Sequence, residues 1–266
     1  MPMDADRARA ARELLAFYLE AGVDAVIGEE PVNRLAEQPT AAPAIAPRLR
    51  EPESKVPRAT GVPPPSPDEA VMAAREEAKR ATSLAELRAI LARFEGCALK
   101  NTATQLVFAD GNPEARVMFV GEAPGRDEDL AGLPFVGRSG KLLDLMLAAI
   151  GLGRARAYIA NVVPWRPPGN RTPTPQETSI CLPFTRRQVE LADPDVLVCL
   201  GGPAMQALIG LNDGILKARG RWLTYHTGTR EIRAIATLHP AYLLRQPLQK
   251  RLAWRDFLAI KKALGS

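Results

Sequence analysis

The sequence predicts an α/β fold in three layers, α/β/α. A central, mostly parallel four-stranded sheet is preceded by an N-terminal helix and a Pro-rich linker. Two observations carry this reading. Four short runs are almost wholly apolar: residues 116–120 (RVMFV), 157–161 (AYIAN), 196–200 (VLVCL) and 232–237 (IRAIAT). Runs of that length and composition read as strands buried on both faces, as parallel strands are. Stretches of helical periodicity separate them, and such alternation builds a parallel sheet covered on both sides.

Each element has its own local reason. Residues 4–20, within an N-terminal segment 1–30, place Leu14, Leu15, Tyr18 and Leu19 on one face of a helix and Arg7, Arg9, Arg12 and Glu13 elsewhere. Residues 31–67 hold ten of the 24 prolines, a composition that excludes a helix or a central strand and reads as an extended linker. The folded domain is expected over 68–266. Ser83 with Glu86 three residues on is a capping-box signature for a helix running to Phe94. Residues 140–150 (GKLLDLMLAAI) form a helix stopped by Gly151. Residues 174–191 are helical, with Pro175 near the first position and Glu177 in the first turn. Residues 204–209 and 248–264 supply two more helices, the last rich in Lys and Arg.

Composition narrows the function classes. No run approaches the ~18–20 apolar residues that a membrane span needs. The charged, alanine-rich start lacks the apolar core of a secretory signal, so a soluble, cytoplasmic protein without membrane contact is expected. Cys97, Cys181 and Cys199 stand far apart and form no CxxC pair, which argues against a disulfide framework. Residues 1–67 hold 8 Lys/Arg against 10 Asp/Glu, and the remainder 27 against 20. The net charge of +5 therefore belongs to the C-terminal part, and a basic domain suits a polyanionic partner.

In an open parallel sheet, ligands bind beyond the carboxyl ends of the strands, so the residues after each strand carry the chemistry. The first strand is followed by Gly121-Glu122-Ala123-Pro124-Gly125, a tight turn that lets backbone approach a ligand, and then by Arg126-Asp127-Glu128-Asp129. Neither GxxxxGK[ST] nor GxGxxG is present, which removes the phosphate-loop and dinucleotide readings. Phe135, between Pro134 and the Val136-Gly137 pair, offers a stacking platform for a base or else a core plug. Asn161 closes the second strand, and its planar amide can pair twice with a base edge. Arg166, Asn170 and Arg171 lie in a proline-stiffened loop suited to phosphates. His239, one of two histidines, follows the fourth strand. Leu243, Leu244 and Arg245 make an apolar tip beside a cation on the loop expected there, a shape that can enter a base stack or cap the core. His226 reads as surface.

Taken in order, GEAPGRDED, PFVGRSG, NVVPWRPPGNR and HPAYLLR resemble the family 4 uracil-DNA glycosylases, over roughly residues 94–264. The resemblance implies an enzyme that flips uracil out of DNA, a known property of glycosylases. It then hydrolyses the N-glycosidic bond, leaving an abasic site. By that resemblance Phe135 stacks on uracil, Asn161 bonds its edge, and His239 donates toward O2. Glu122 lies beside base and sugar, Glu128 matches a second family acid, and Gly121 and Ala123 complete the uracil pocket. Leu243, Leu244 and Arg245 match the wedge that fills the emptied duplex. Whether Glu122 or Glu128 activates water, or a dissociative reaction needs only weak base help, stays open. Expected partners are uracil-containing DNA, single- and double-stranded, with free uracil as product, acted on by a monomer. The alternatives are a related glycosylase for hypoxanthine or mismatched thymine, and a non-catalytic protein that binds damaged DNA.

The family typically carries a four-iron cluster on four cysteines. Those positions fall here at Phe94, Cys97, Trp165 and Cys181, so only two thiols remain. No cluster, no other metal and no cofactor are expected.

Overall fold

The computed structural model describes residues 67–265. The chain enters through α1 (Pro67–Arg80) and α2 (Leu84–Arg93). Pro67, read from the sequence as the last linker residue, is instead the first residue of α1. Its missing N–H is not needed there, and Asp68 and Glu69 face the positive helix end. The rest of the expected linker and the helix expected within residues 1–30 lie outside the described residues. Ser83 caps α2 by accepting from the Glu86 N–H at 3.2 Å. The Glu86 carboxylate turns to the Thr82 N–H (2.8 Å) and hydroxyl (2.7 Å).

Six strands make one sheet, not four. They are β1 (Asp110–Gly111), β2 (Val117–Gly121), β3 (Tyr158–Asn161), β4 (Val196–Leu200), β5 (Trp222–His226) and β6 (Glu231–Thr237), in the order β1-β3-β2-β4-β6-β5. The four expected strands form its parallel centre. The additions are the two antiparallel edges. β1 is two residues long and leaves no pattern to read. β5 is half exposed and polar at Thr224 and His226, so it lacks the apolar continuity of the buried strands. It is tied to β6 by a hairpin whose Gly228 has φ 116°, and its Trp222 ring lies 4.1 Å from the Arg233 guanidinium.

The remaining helices cover the sheet: α3 (Arg126–Ala131), α4 (Arg138–Ala149), α5 (Pro175–Ala192), α6 (Gly202–Ile209), α7 (Ile215–Ala218), α8 (Pro240–Arg245) and α9 (Lys250–Leu264). Side chains alternate between faces along each strand. Met118, Val120, Ala160, Leu197 and Cys199 pack with α1, α2, α5 and α6 through residues such as Ala74, Leu87, Phe184 and Met205. Val117, Phe119, Ile159, Val198 and Ile235 pack with α4 and α9 through Leu143, Leu147, Phe257 and Ile260. Two layers of helix thus bury both faces, the arrangement that the apolar runs predict. No helix among the described residues is long and apolar enough to cross a membrane.

Candidate active site

The parallel strands end at one level, because the register pairs Gly121 with Asn161 and Leu200 with Thr237. The segments that follow line one cavity of about 610 Å³. Glu122, Ala123, Phe135, Asn161 and His239 meet there, with Gly201 and Gly202 from beyond β4. That last contribution was missed, although Gly201-Gly202-Pro203 directly follows an apolar strand and the strand-end rule applies to it equally.

Gly121 lets the walls close in. A Cβ there would stand 2.6 Å from Asn161 Oδ1 and 2.6 Å from Cζ of the Phe135 ring, so any side chain would displace both. Asn161 is 4% exposed, and its Oδ1 is buried without a hydrogen-bond partner. Glu122 Oε1 is buried and unpartnered as well. Burial disfavours the charged form of Glu122 and raises its pKa above the usual carboxylate range. Two orphaned acceptors in one cavity are expensive unless a ligand supplies donors.

His239 caps α8. Its Nδ1 accepts the Ala241 N–H at 3.1 Å, so Nδ1 carries no proton and, in the neutral ring, Nε2 does. Burial, with a smaller contribution from the Arg245 charge, brings the pKa down to about 4. At neutral pH the ring is therefore a neutral donor through Nε2. Its centroid lies 5.5 Å from that of Phe135. The Phe135 ring is buried and its backbone takes φ 56°, in the left-handed region.

Glu128 is placed differently from Glu122. Its Oε2 accepts the Gly125 N–H at 3.0 Å, and its Oε1 accepts the N–H groups of Val136 (3.1 Å) and Gly137 (2.9 Å). It ties the turn after β2 to the loop carrying Phe135. The acidic run is equally occupied at Asp129, which accepts the Thr104 N–H (2.8 Å) and hydroxyl (2.9 Å).

The residues expected to contact DNA divide. Asn170, Arg171 and Arg245 line the cavity. Arg166 Nε donates to Asn170 Oδ1 at 2.7 Å, and Arg171 forms a two-pronged pair with Glu177 at 2.8 and 2.6 Å. Leu243 requires correction. The chain after β6 is not a loop but the helix α8, and Leu243 is 1% exposed against Leu238 and Ala253. Leu244, one residue on, is exposed with Arg245. Adjacent helical residues point about 100° apart, so one leucine faces the core and the next faces out. His226 is exposed on β5, consistent with a surface residue.

The four positions that would hold a cluster do not fit one. The Phe94 ring packs edge-on against Phe184 at 5.0 Å, and Trp165 is fully buried. Cys97 and Cys181 remain, both buried, with sulfurs 3.8 Å apart. The hydrogen bond that Cys181 donates to Cys97, together with burial, raises the Cys181 pKa, and the same bond lowers that of Cys97, so the pair favours one thiolate where a cluster requires four. Cys199 lies within β4, pushed up to about 12 by burial alone. Among the described residues no three His, Cys, Asp or Glu side chains are grouped to hold a metal ion.

Known proteins are similar to this chain in sequence. The Type-4 uracil-DNA glycosylase of Archaeoglobus fulgidus is 44% identical over 173 residues, 64% of this chain and 87% of that protein. The enzyme of the same name from Thermotoga maritima is 45% identical over 150 residues, covering 56% of this chain and 77% of its own. That from Sulfurisphaera tokodaii is 37% identical over 185 residues, 68% and 84%. The sequence model of the uracil DNA glycosylase superfamily matches residues 108–258, which include all the strand ends that line the cavity. The chain belongs to the uracil DNA glycosylase superfamily.

Proposed function

We propose that this chain excises uracil from DNA by hydrolysing the N-glycosidic bond, leaving an abasic site and free uracil. The observation that carries the reading is the pair of buried, unpartnered acceptors, Asn161 Oδ1 and Glu122 Oε1, set in one cavity with a neutral His239 donor and the Phe135 ring. The names of the relatives support it.

A base in a duplex must first leave the stack, at a cost of about a few kcal/mol, the step common to glycosylases. Phe135 then covers the base. Asn161 Oδ1 accepts the uracil N3–H, and its amide donates to O4. As the C1′–N1 bond breaks, its electron pair moves into the ring and toward O2. The Nε2–H of His239 stabilises that charge, and one preorganised donor of this kind is worth roughly 3–4 kcal/mol. Water adds its oxygen to C1′ and gives up a proton, and the departing uracilate is finally protonated. Glu122 takes the water proton in this scheme. Its free oxygen and raised pKa suit a general base, whereas Glu128 is already bonded to three backbone N–H groups. No step needs a metal ion from this site.

Arg166, Asn170, Arg171, Leu244 and Arg245 form the DNA-contacting rim, with Leu244 in place of the leucine pair as the wedge. The folded domain, which begins at Pro67, works as a cytoplasmic monomer. The test is release of uracil from single- and double-stranded oligonucleotides with a chelator present. Abasic product from both, and none from matched thymine or cytosine strands, is the expected result. Tight binding without product would overturn the assignment.

A further inference from the structure

Phe135 sits where a side chain of its size is rarely found. A bulky residue at φ 56° is out of the favoured regions and persists only where its surroundings over-determine it. The left-handed turn also directs the ring, bringing its edge to within 2.6 Å of where a Gly121 side chain would start and its centroid to 5.5 Å from His239. Whatever holds the backbone of Phe135 therefore sets the position of the platform.

The holder is Arg154, in the short helical turn Arg154–Arg156 ahead of β3. Its guanidinium donates to the carbonyls of both Pro134 (3.1 Å) and Phe135. Those two carbonyls belong to the peptide planes on either side of the Phe135 Cα. Fixing both planes fixes φ and ψ between them. The fork is itself held. Nε donates to Asp144 Oδ1 at 2.8 Å, one terminal nitrogen donates to Asp110, and the other reaches Asp144 Oδ2 at 3.4 Å. All five donor hydrogens of the guanidinium are thus used. Gly140 completes the seat, because a Cβ there would lie 1.7 Å from the Phe135 carbonyl oxygen. Arg154 does not line the cavity. Nothing in the sequence motifs marks it, since it lies outside all four.

We infer that Arg154 is the positioning residue of the base-stacking platform, acting on uracil excision through the backbone of Phe135 and not through contact with substrate. The inference rests on the proposed excision activity and on Phe135 as its stacking group.

The test is a double-mutant cycle read by single-turnover uracil release, with melting temperatures recorded alongside. Arg154→Ala in the unaltered background should slow release roughly 10–100-fold, the scale of a misplaced reactive geometry. In a Phe135→Ala background the same change should cost less than about twofold, because the group it acts through is gone. Arg154→Lys keeps a cation beside Asp110 and Asp144 but cannot span two carbonyls. It should show the same non-additive loss with a near-normal melting temperature, and it carries the cycle if the alanine variant does not fold. Equal fractional losses in both backgrounds would mean a structural role only and would overturn the inference, as would undiminished release by both Arg154 variants. Absence of uracil release by the unaltered protein would sink the functional reading and this role with it.

Discussion

In the proposed reaction Asn161 recognises the base and His239 stabilises the departing charge, and each role makes a separate claim. Asn161→Ala removes the paired contacts to the uracil edge. Single-turnover uracil release should fall on the order of 10²–10³ with little change in melting temperature. Unchanged release would move the base elsewhere. His239 makes a claim about pH. Its folded pKa, about 4, lies below the ordinary histidine value of 6.5. As pH falls through 6.5 the unfolded chain takes up a proton that the folded protein refuses, so stability declines until about pH 4 and no further from this group. Unfolding in urea at pH 7 and pH 4.5 should show the unaltered protein losing about 2–3 kcal/mol more than His239→Asn, which has no such group. Parallel losses would mean that the imidazole is not held neutral. Glu122, Asn161 and His239 were legible in the sequence because each stands at the end of a readable strand or just after it, whereas Phe135, beyond α3, was read as a platform through the resemblance of its motif. Arg154 was not, because its partners are main-chain carbonyls and two distant aspartates, which leave no spacing to recognise.

α8 shows how one element sorts neighbouring residues. His239 caps it, Pro240 takes its first position, and six residues suffice to turn Leu243 inward and Leu244 outward. Leu243→Ala should cost roughly 2–5 kcal/mol of stability and reduce excision on every substrate alike, as loss of a buried leucine does. Leu244→Ala should leave melting nearly unchanged and slow excision most for U·A duplex, less for U·G and least for single strands, since a wedge offsets lost stacking. Uracil release on the three substrates, with thermal denaturation, separates the two. Equal loss across substrates from Leu244→Ala would retire the wedge. The sequence carried the signal for this helix in its His-Pro start, but the apolar pair was read as the tip of a loop. The edge strands were hidden for a different reason. A strand with one open side needs no continuous apolar run, so β5 offered none to find.

At the scale of the whole molecule, aromatic packing stands at two of the four positions where the sequence resemblance placed the ligands of a cluster. Phe94 against Phe184 and the buried Trp165 fill that corner of the core with hydrocarbon. Purified protein should be colourless, without absorbance at about 400 nm, and a chelator should leave uracil release unchanged. Stoichiometric iron and sulfide would contradict this. Charge belongs to the same scale. The excess of cations lies in residues 68–266, the part that holds the cavity, so the protein's field and its chemistry share one domain.

The sheet order has a consequence for synthesis. Gly121, Phe135 and Asn161 are translated early, but β6 joins the sheet beside β4 only after residue 237, and His239 needs α8 to cap. α9, which packs Phe257 and Ile260 under the same sheet, comes later still. A nascent chain without β6 and α8 therefore lacks a complete cavity, because Leu238, His239 and Arg245 are still missing from its lining. On the ribosome the site closes only when nearly all of the domain's length has emerged.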